Sequence, residues 1–289
     1  MSQPPAYGAV VLSMGTRPAE LQHALETLLA QQGVDLDVVV VGNGWVPVGL
    51  PDGVRSVALP ENVGIPEGRN VGAAACTGEL ILFYDDDAAL PEPDALARLA
   101  AALEADPGAA LVQPRAVDPT GLPSPRRWVP RPRVGDEERG GVVAGVWEGV
   151  FVIRRTAFER AGGWPGLFFY GHEGIELVWR VYELGFHARY LPEVRVHHPA
   201  TLPTRHAVYH RMNARNRVWV ARRNLPAPLA VVHVLVWVAL TLARVHDRAA
   251  LRTWFAGLLE GLRTPCGERR PIRWSTALRL ARAGRPPVV

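Results

Sequence analysis

The 289-residue chain has no lysine, so all 32 of its basic side chains are arginines. A glycine-rich phosphate loop that carries a lysine is therefore excluded. The cations that remain are planar guanidinium forks, which suit phosphate. Cysteine is nearly absent: Cys76 and Cys266 stand far apart, without metal-ligand spacing. They build no disulfide framework and fit a reducing compartment. The opening MSQPPAYGAVVLS lacks a basic segment followed by a long apolar core, so no secretory signal is expected. Long apolar runs are scarce too, and one stands out, Ala227 to Ala243. A membrane span needs about 20 apolar residues, whereas this run has 17, interrupted by Pro228, His233 and Thr241. Three fates stay open for it: packing at a membrane interface or as a re-entrant segment, a buried core helix, or a true span.

Acidic residues are scarce in one region only. Residues 205–289 hold 16 Arg against 3 acids, a net of +13, whereas residues 1–204 hold 16 Arg against 25 acids, a net of −9. The basic third fits an anionic surface, with a solvated basic tail as the plainer reading. The acidic remainder argues against nucleic acid as a partner. An apolar fraction of 48% with 21% charged residues marks a globular chain, long enough for one large domain or two small ones.

What is present is an alternation of apolar runs and helical patterns. GAVVLS, LDVVVVG, VRSVAL, ELILFY and AALVQPRAV read as strands. Between them, RPAELQHALETLLAQQG keeps leucines 21, 25, 28 and 29 at helical spacing, and PEGRNVGAAACTG and PDALARLAAALEAD read as further helices. LDVVVVG is apolar throughout, as a strand covered on both faces should be. The alternation predicts an α/β fold with a mostly parallel sheet between helical layers. Residues 118–141, rich in Pro and Arg, read as a long loop. GVFVIRR follows as a strand, then a short helix, and residues 203–224 read as helical with repeated arginines.

Three consecutive acids, Asp85, Asp86 and Asp87, end the strand LILFY, at the edge where such sheets bind ligands. Alternation places Asp85 and Asp87 on one side and turns Asp86 away. Two hard oxygen donors suit Mg²⁺ or Mn²⁺, which keep waters and bind substrate phosphates. A solvated acidic loop or a helix cap is the competing reading. Upstream, NVGIPEGRNVG offers a sharp turn at Gly64, a helix N-terminus that attracts anions, and Arg69 within reach of phosphate.

VVLSMGTRPAELQHALETLLAQ, VVVVGNGW and NVGIPEGRNVGAAACTGELILFYDDDA resemble the nucleotide-binding half of a family 2 glycosyltransferase with the GT-A fold. GGWPGLFFYGHEGIELVWRVYELGFHARYLPEVRVHHP resembles the acceptor half of that family. The resemblance covers about residues 8–200. It implies a GT-A domain over 1–204, with a nucleotide half to about 115 and an acceptor half from about 142 to 204. Residues 205–289 then form a basic, partly apolar helical extension. It also implies transfer of a sugar from a nucleoside diphosphate donor, with inversion at the anomeric carbon and a divalent cation, Mn²⁺ or Mg²⁺. Asp85 and Asp87 match the D-x-D positions, for metal and donor diphosphate or ribose. Arg17, Asn43, Asn62, Gly64, Arg69 and Asp86 are the further donor-site candidates. His198 matches a histidine that completes the metal shell in some relatives, with His197 as the competing assignment.

Two positions depart from the family pattern. Gly42 stands where an acid usually precedes the Asn, which puts the base or ribose contact in doubt. Gly174 stands where Glu-Asp is usual, so the second acid of the acceptor motif is missing. Ile175, Val178, Trp179 and Tyr182 form a buried stripe, with Glu173, Glu176, Arg180 and Glu183 opposite. Glu176 and Arg180 are spaced for an ion pair. That leaves Glu173 as the expected base and Glu176 as the alternative, with helix-dipole stabilisation as Glu173's plainer role. Trp147, Glu148 and His172 are the expected acceptor contacts, against ordinary core packing.

The expected activity is transfer to a hydroxyl of a glycan or lipid-linked acceptor, with UDP-, dTDP- and GDP-linked donors all open. The expected location is cytoplasmic, extending to peripheral attachment on the inner face of the plasma membrane through the basic region and the apolar run. The rivals are a catalytically impaired, membrane-associated binding protein of the same fold, favoured by Gly42 and Gly174, and a sugar nucleotidyltransferase, disfavoured by the absence of lysine.

Overall fold

The structure, a computed structural model, describes residues 3–130, 136–200 and 208–288. The boundary expected at 204/205, the first residues of the helix expected from 203, and part of the 118–141 loop lie outside the described residues. The chain opens as β1 (Ala6–Ser13), α1 (Pro18–Leu29), β2 (Asp35–Asn43), β3 (Arg55–Leu59), α2 (Ile65–Ala75), β4 (Leu80–Asp85), α3 (Ala95–Glu104) and β5 (Ala109–Val117). It continues as β6 (Gly141–Val143), β7 (Val150–Arg154), α4 (Arg155–Ala161), α5 (Glu173–Glu183) and β8 (His187–His197). Four helices follow: α6 (Tyr209–Asn224), α7 (Ala227–Arg244), α8 (Arg248–Arg263) and α9 (Trp274–Arg282).

The strands form one eight-stranded sheet in the order β3-β2-β1-β4-β7-β5-β8-β6. β1, β2, β3 and β4 pair in parallel, as do β5 and β8, while β7 runs antiparallel between β4 and β5. β6, a short strand the sequence pattern does not reveal, pairs antiparallel with β8. The continuous apolar runs are covered on both faces, as expected. Val38 and Val40 of β2 join the layer under α1 and α3, with Leu21, Leu25, Leu28, Leu96 and Leu99. Val39 and Val41 join the opposite layer, with Phe158, Leu177, Val178 and Trp179 of α4 and α5. Burying each such side chain contributes about 1.5–3 kcal/mol, and the period of two divides the strand between both layers.

The second layer extends into the C-terminal helices. Trp219, Val220, Leu225, Ile272, Ala277 and Leu280 are buried in it, so α6 and α9 share one core with the sheet. This changes the environment of α5. Its expected apolar stripe is present, yet Glu173, Glu176 and Arg180 on the other face are buried as well. The Glu176–Arg180 pair predicted from spacing does not form. Arg223 of α6 grips Glu176 instead, at 2.7 Å through Nη2 with Nε reaching both oxygens at 3.0 Å, and Asn224 Nδ2 adds a bond of 2.7 Å. Arg180 donates to the Arg270 carbonyl at 2.8 Å. A guanidinium fork across a helix interface matches a carboxylate better than a neighbour one turn along the same helix.

Glu176 is therefore a tertiary clamp rather than a base. Removing one partner of a buried pair leaves the other charge uncompensated, at a cost of about 3–5 kcal/mol. Glu176→Ala is expected to lower unfolding stability by that order in urea titration. A loss under about 1 kcal/mol would mean that the C-terminal helices do not depend on this clamp.

Candidate active site

β4 ends at Asp85, and the next turn carries Asp86 and Asp87. Mutual repulsion among them is met by three cations from three other elements. Arg69, buried on α2, donates to Asp85 at 2.7 Å. Arg17, just before α1, bridges Asp86 and Asp87. His198, directly after β8, places Nε2 at 3.0 Å from Asp87 and 3.6 Å from Asp85. Burial opposes charge on His198, but its bonds to Asp85 and Asp87 prevail and push its pKa up to about 9. Burial likewise works to raise Asp87, yet His198 and Arg17 outweigh it and hold that carboxyl below its usual range. Asp86 does turn from His198. It is buried rather than solvated, which pushes its pKa up to about 6 against the pull of Ser13 and Arg17.

Asp85, Asp87 and His198 offer ligand atoms that all lie within 4.8 Å of one another. Two carboxylate oxygens and an imidazole nitrogen suit Mn²⁺, and Mg²⁺ through the oxygens. His197 is placed differently, because its backbone pairs with Ala89 in both directions, at 2.8 and 2.9 Å. The rings of Trp128 and Trp147 stand edge-on to His198 at 5.4 and 4.9 Å and hold its plane.

Beside the acidic tip lies a pocket of about 220 Å³, lined by Arg69, Asp85, Trp147, Glu148, His172 and Glu173 among others. Glu173 opens α5 and Glu148 precedes β7, so two elements bring two carboxyls together. Burial pushes Glu173 up to about 8, and the neighbouring charge of Glu148 adds to it. Burial raises Glu148 as well, but Arg69 and the Gly174 amide favour its ionised form. Glu148 accepts from that amide at 3.1 Å. A Cβ at position 174 would lie 2.5 Å from Glu148 Oε1 and 2.6 Å from its Cγ. The space of the missing second acid is thus filled by a carboxyl arriving from another element.

Two buried atoms in this pocket have no hydrogen-bond partner among the described residues: Arg69 Nη1, a donor, and Glu173 Oε2, an acceptor. The loop leading to Glu173 holds Phe169 at φ 63° and His172 at φ 72°, conformations that cost a non-glycine residue about 1–3 kcal/mol. Asn216 of α6, fully buried, locks it by donating to the carbonyls of Phe168, Tyr170 and Gly171 at 2.8–2.9 Å. His172 itself contacts the Asn213 carbonyl at 3.0 Å, and burial first, then Arg217, hold it neutral.

The remaining donor candidates are arranged otherwise. Asn43 donates to Asn62 at 2.9 Å and accepts from the Val63 amide at 2.9 Å. Asn62 also accepts from the Gly64 amide, and Gly64 has φ 87°. These three residues fix the turn that starts α2, while the exposed Asn62 keeps its Nδ2 outside that turn, 3.6 Å from Met14 Sδ. The Gly42 departure is steric: a Cβ there would lie 2.2 Å from the Trp45 carbonyl, where the chain folds back and Trp45 Nε1 donates to Ser13. Sequence reading missed Arg127, Tyr209 and Asn213 in the pocket wall, which also holds Tyr170, one of the aromatics of GLFFYGH expected as an acceptor platform. Tyr209 and Asn213 come from α6, so the pocket draws on the C-terminal region. No local pattern marks them, and the repeated arginines of α6 were the visible signal nearby.

With this geometry in view, three likenesses bear on the chain. Residues 9–162 match the family model described as Glycosyl transferase family 2. The pre-mycofactocin glycosyltransferase of Mycobacterium tuberculosis is 31% identical over 220 residues, covering 68% of this chain and 43% of that protein. The chain therefore spans less than half the length of the curated relatives it matches. Among solved structures, S. aureus TarS 1-349 in complex with UDP-GlcNAc superposes with a TM-score of 0.64 at 13% identity, covering 89% of this chain and 80% of that one. GalNAc-T7 with UDP, GalNAc and Mn²⁺ gives 0.61 at 13% identity, covering 88% and 54%. The mannosyltransferase PcManGT from Pyrobaculum calidifontis, in complex with GDP-Man and Mn²⁺, gives 0.55 at 20% identity, covering 98% and 80%. At such identities the likeness shows the fold, which is that of GT-A glycosyltransferases. The family match and the sequence relative together identify the chain as a member of glycosyltransferase family 2.

Proposed function

We propose that this chain transfers a sugar from a nucleoside diphosphate donor to a hydroxyl of a glycan or lipid-linked acceptor, with inversion. One observation carries the reading. One pocket is lined by Arg69 and Glu173 beside Asp85, and among the described residues Arg69 Nη1, a donor, and Glu173 Oε2, an acceptor, have no partner. The first suits a phosphate and the second a hydroxyl. Asp85, Asp87 and His198 would hold Mn²⁺ or Mg²⁺, which supplies positive charge opposite a leaving diphosphate. Arg69 adds a fixed cation on the same side. Glu173 takes the acceptor's proton as the acceptor oxygen bonds to the anomeric carbon. The bond from that carbon to the diphosphate oxygen breaks, and its electron pair leaves with the nucleoside diphosphate. Attack opposite the leaving group inverts the carbon.

Glu173 is tuned for this role. A base works best with a pKa near the operating pH, and Glu173 is pushed up to about 8. Glu148 supports that basicity, because charge on its carboxylate pushes Glu173 further up. Its carboxyl also lies beside Gly174, where the second acid is missing, which favours an active protein over an impaired one.

UDP-, dTDP- and GDP-sugars, screened by thermal shift with and without Mn²⁺, test donor binding. A matching donor with Mn²⁺ raises Tm by about 2–4 °C per kcal/mol of linkage, and Asp87→Ala removes the metal-dependent part. No shift with any donor would overturn the reading.

Glu173→Gln is expected to lower kcat by about 10²–10⁴-fold while leaving donor affinity within about threefold. Glu148→Gln is expected to move the acid limb of kcat/KM to lower pH, because it removes the charge that helps raise Glu173. An unchanged limb would separate the two residues.

The same shift has a stability signature. An unfolded glutamate releases its proton near 4.5, and folded Glu173 near 8. Between those values the folded state binds the extra proton, so stability falls as pH rises. Glu173→Gln should therefore raise Tm more at pH 8 than at pH 5. An equal gain at both would remove the raised pKa.

A further inference from the structure

α7 is built inside out. It runs 18 residues, about 27 Å, with a mean hydropathy of 1.8, and only 11% of it is buried. The buried-core fate left open by the sequence therefore does not hold. The residues α7 buries fully are polar ones, His233 and Thr241, while Leu229, Ala230 and Val234 pack partly buried on the core beside them. His233 Nδ1 sits 2.7 Å from the Pro287 carbonyl, and its ring faces Trp179 at 6.1 Å. One turn on, the buried Arg217 guanidinium stacks 3.3 Å from the Trp237 ring centroid. The opposite stripe carries Val231, Val232, Leu235 and Leu242, each 45–61% exposed. A helix on a water-facing surface turns its polar stripe outward, and this one does the reverse.

We propose that the outward stripe of α7 lies in the interface of an anionic lipid bilayer, with the helix parallel to the membrane plane. His233 and Thr241 are eight residues apart, about 12 Å along the axis, so both halves of α7 are tied to the body. Crossing a bilayer would strip those contacts and expose polar groups to hydrocarbon. Lying flat keeps them and buries the apolar stripe.

Arginines mark both ends. Arg244 and Arg248 are exposed at the C-terminal junction. Arg269, exposed, donates to the Leu225 carbonyl at 2.8 Å, just before the helix begins. Such cations contribute about 1 kcal/mol each near an anionic surface. The same charges disfavour a second copy. A two-fold interface would set like against like, and the acids of residues 205–289 are already committed. Glu260 pairs with Arg211 and Arg215, Glu268 pairs with Arg270, and Asp247 caps α8.

Flotation of the full chain tests this independently of any activity. Vesicles of phosphatidylcholine, with and without about 30% phosphatidylglycerol, are compared for the native sequence and for the double variant Val231→Glu/Leu235→Glu. Both substituted positions are exposed, so Tm should stay within a few degrees and report intact folding. The native chain is expected to float with anionic vesicles, to be released by alkaline carbonate, and to lose at least ~10-fold in floated fraction in the double variant. Absence of flotation, or equal flotation of the two proteins, would overturn the proposal. Retention through carbonate would replace it with a span. A concentration-dependent dimer abolished by the same variant, without flotation, would assign the stripe to a second copy.

Discussion

The acidic tip of β4 is the constraint around which the fold is arranged. Three carboxylates in a row cannot share a partly buried edge unless cations come to them. The cations arrive from separate places: Arg17 ahead of α1, Arg69 from α2, and His198 after β8. Each arrival requires its element to be seated, so the charge arrangement depends on the topology. The strand order puts β1 next to β4, which brings Arg17 to Asp86 and Asp87. A bridge from Ala89 to His197 fixes the end of β8 beside the turn, which brings His198 in. The edge that repels itself in the sequence is neutral overall in the fold and ready to exchange a side-chain cation for another positive partner.

Alongside that balanced edge, the Glu148–Glu173 pair is left under tension. Ion pairs satisfy the tip, whereas here two buried carboxyls share one pocket, and Glu173 keeps an oxygen without a partner among the described residues. Such an arrangement costs stability and therefore needs support. The support is α6, whose Asn216 holds the strained approach to Glu173 and whose Arg223 clamps Glu176 one turn further on. Glu173 and Glu176 look interchangeable in the sequence. Their environments separate them: one is fully paired, and the other is raised and keeps an oxygen without a partner among the described residues.

Much of the fold could be read from the residues because two periods carry it. Alternating valines in β2 and leucines at helical spacing in α1 state their partners by pattern alone. The D-x-D and Arg69 could be placed for a similar reason, since each sits at a strand end or helix start that the pattern locates, whereas His198 was expected from the family resemblance alone. The pocket wall was not. Glu148 and Gly174 are 26 residues apart, and only packing shows that one fills the space beside the other. The Glu176–Arg180 reading failed because spacing along one helix says nothing about a better-shaped partner on another. Asn43 and Asn62 also bond each other and hold the turn at Gly64, a structural task that their residue types alone do not announce.

The C-terminal arginines divide into two populations that composition alone merges. Arg215, Arg217 and Arg223 are structural, bonded or stacked inside the body, while Arg244, Arg248 and Arg263 face out. α6 connects them to the chemistry. Its first turns line the pocket with Tyr209 and Asn213, and one turn later Arg217 packs on Trp237 of α7. Asn213 and Arg217 are about 6 Å apart along that helix. A bilayer lying on the outer stripe of α7 would therefore have both α7 and α6, each about 10 Å across, between it and the pocket. α6 is the element that joins the two regions, since its pocket residues and its contact with α7 lie one turn apart.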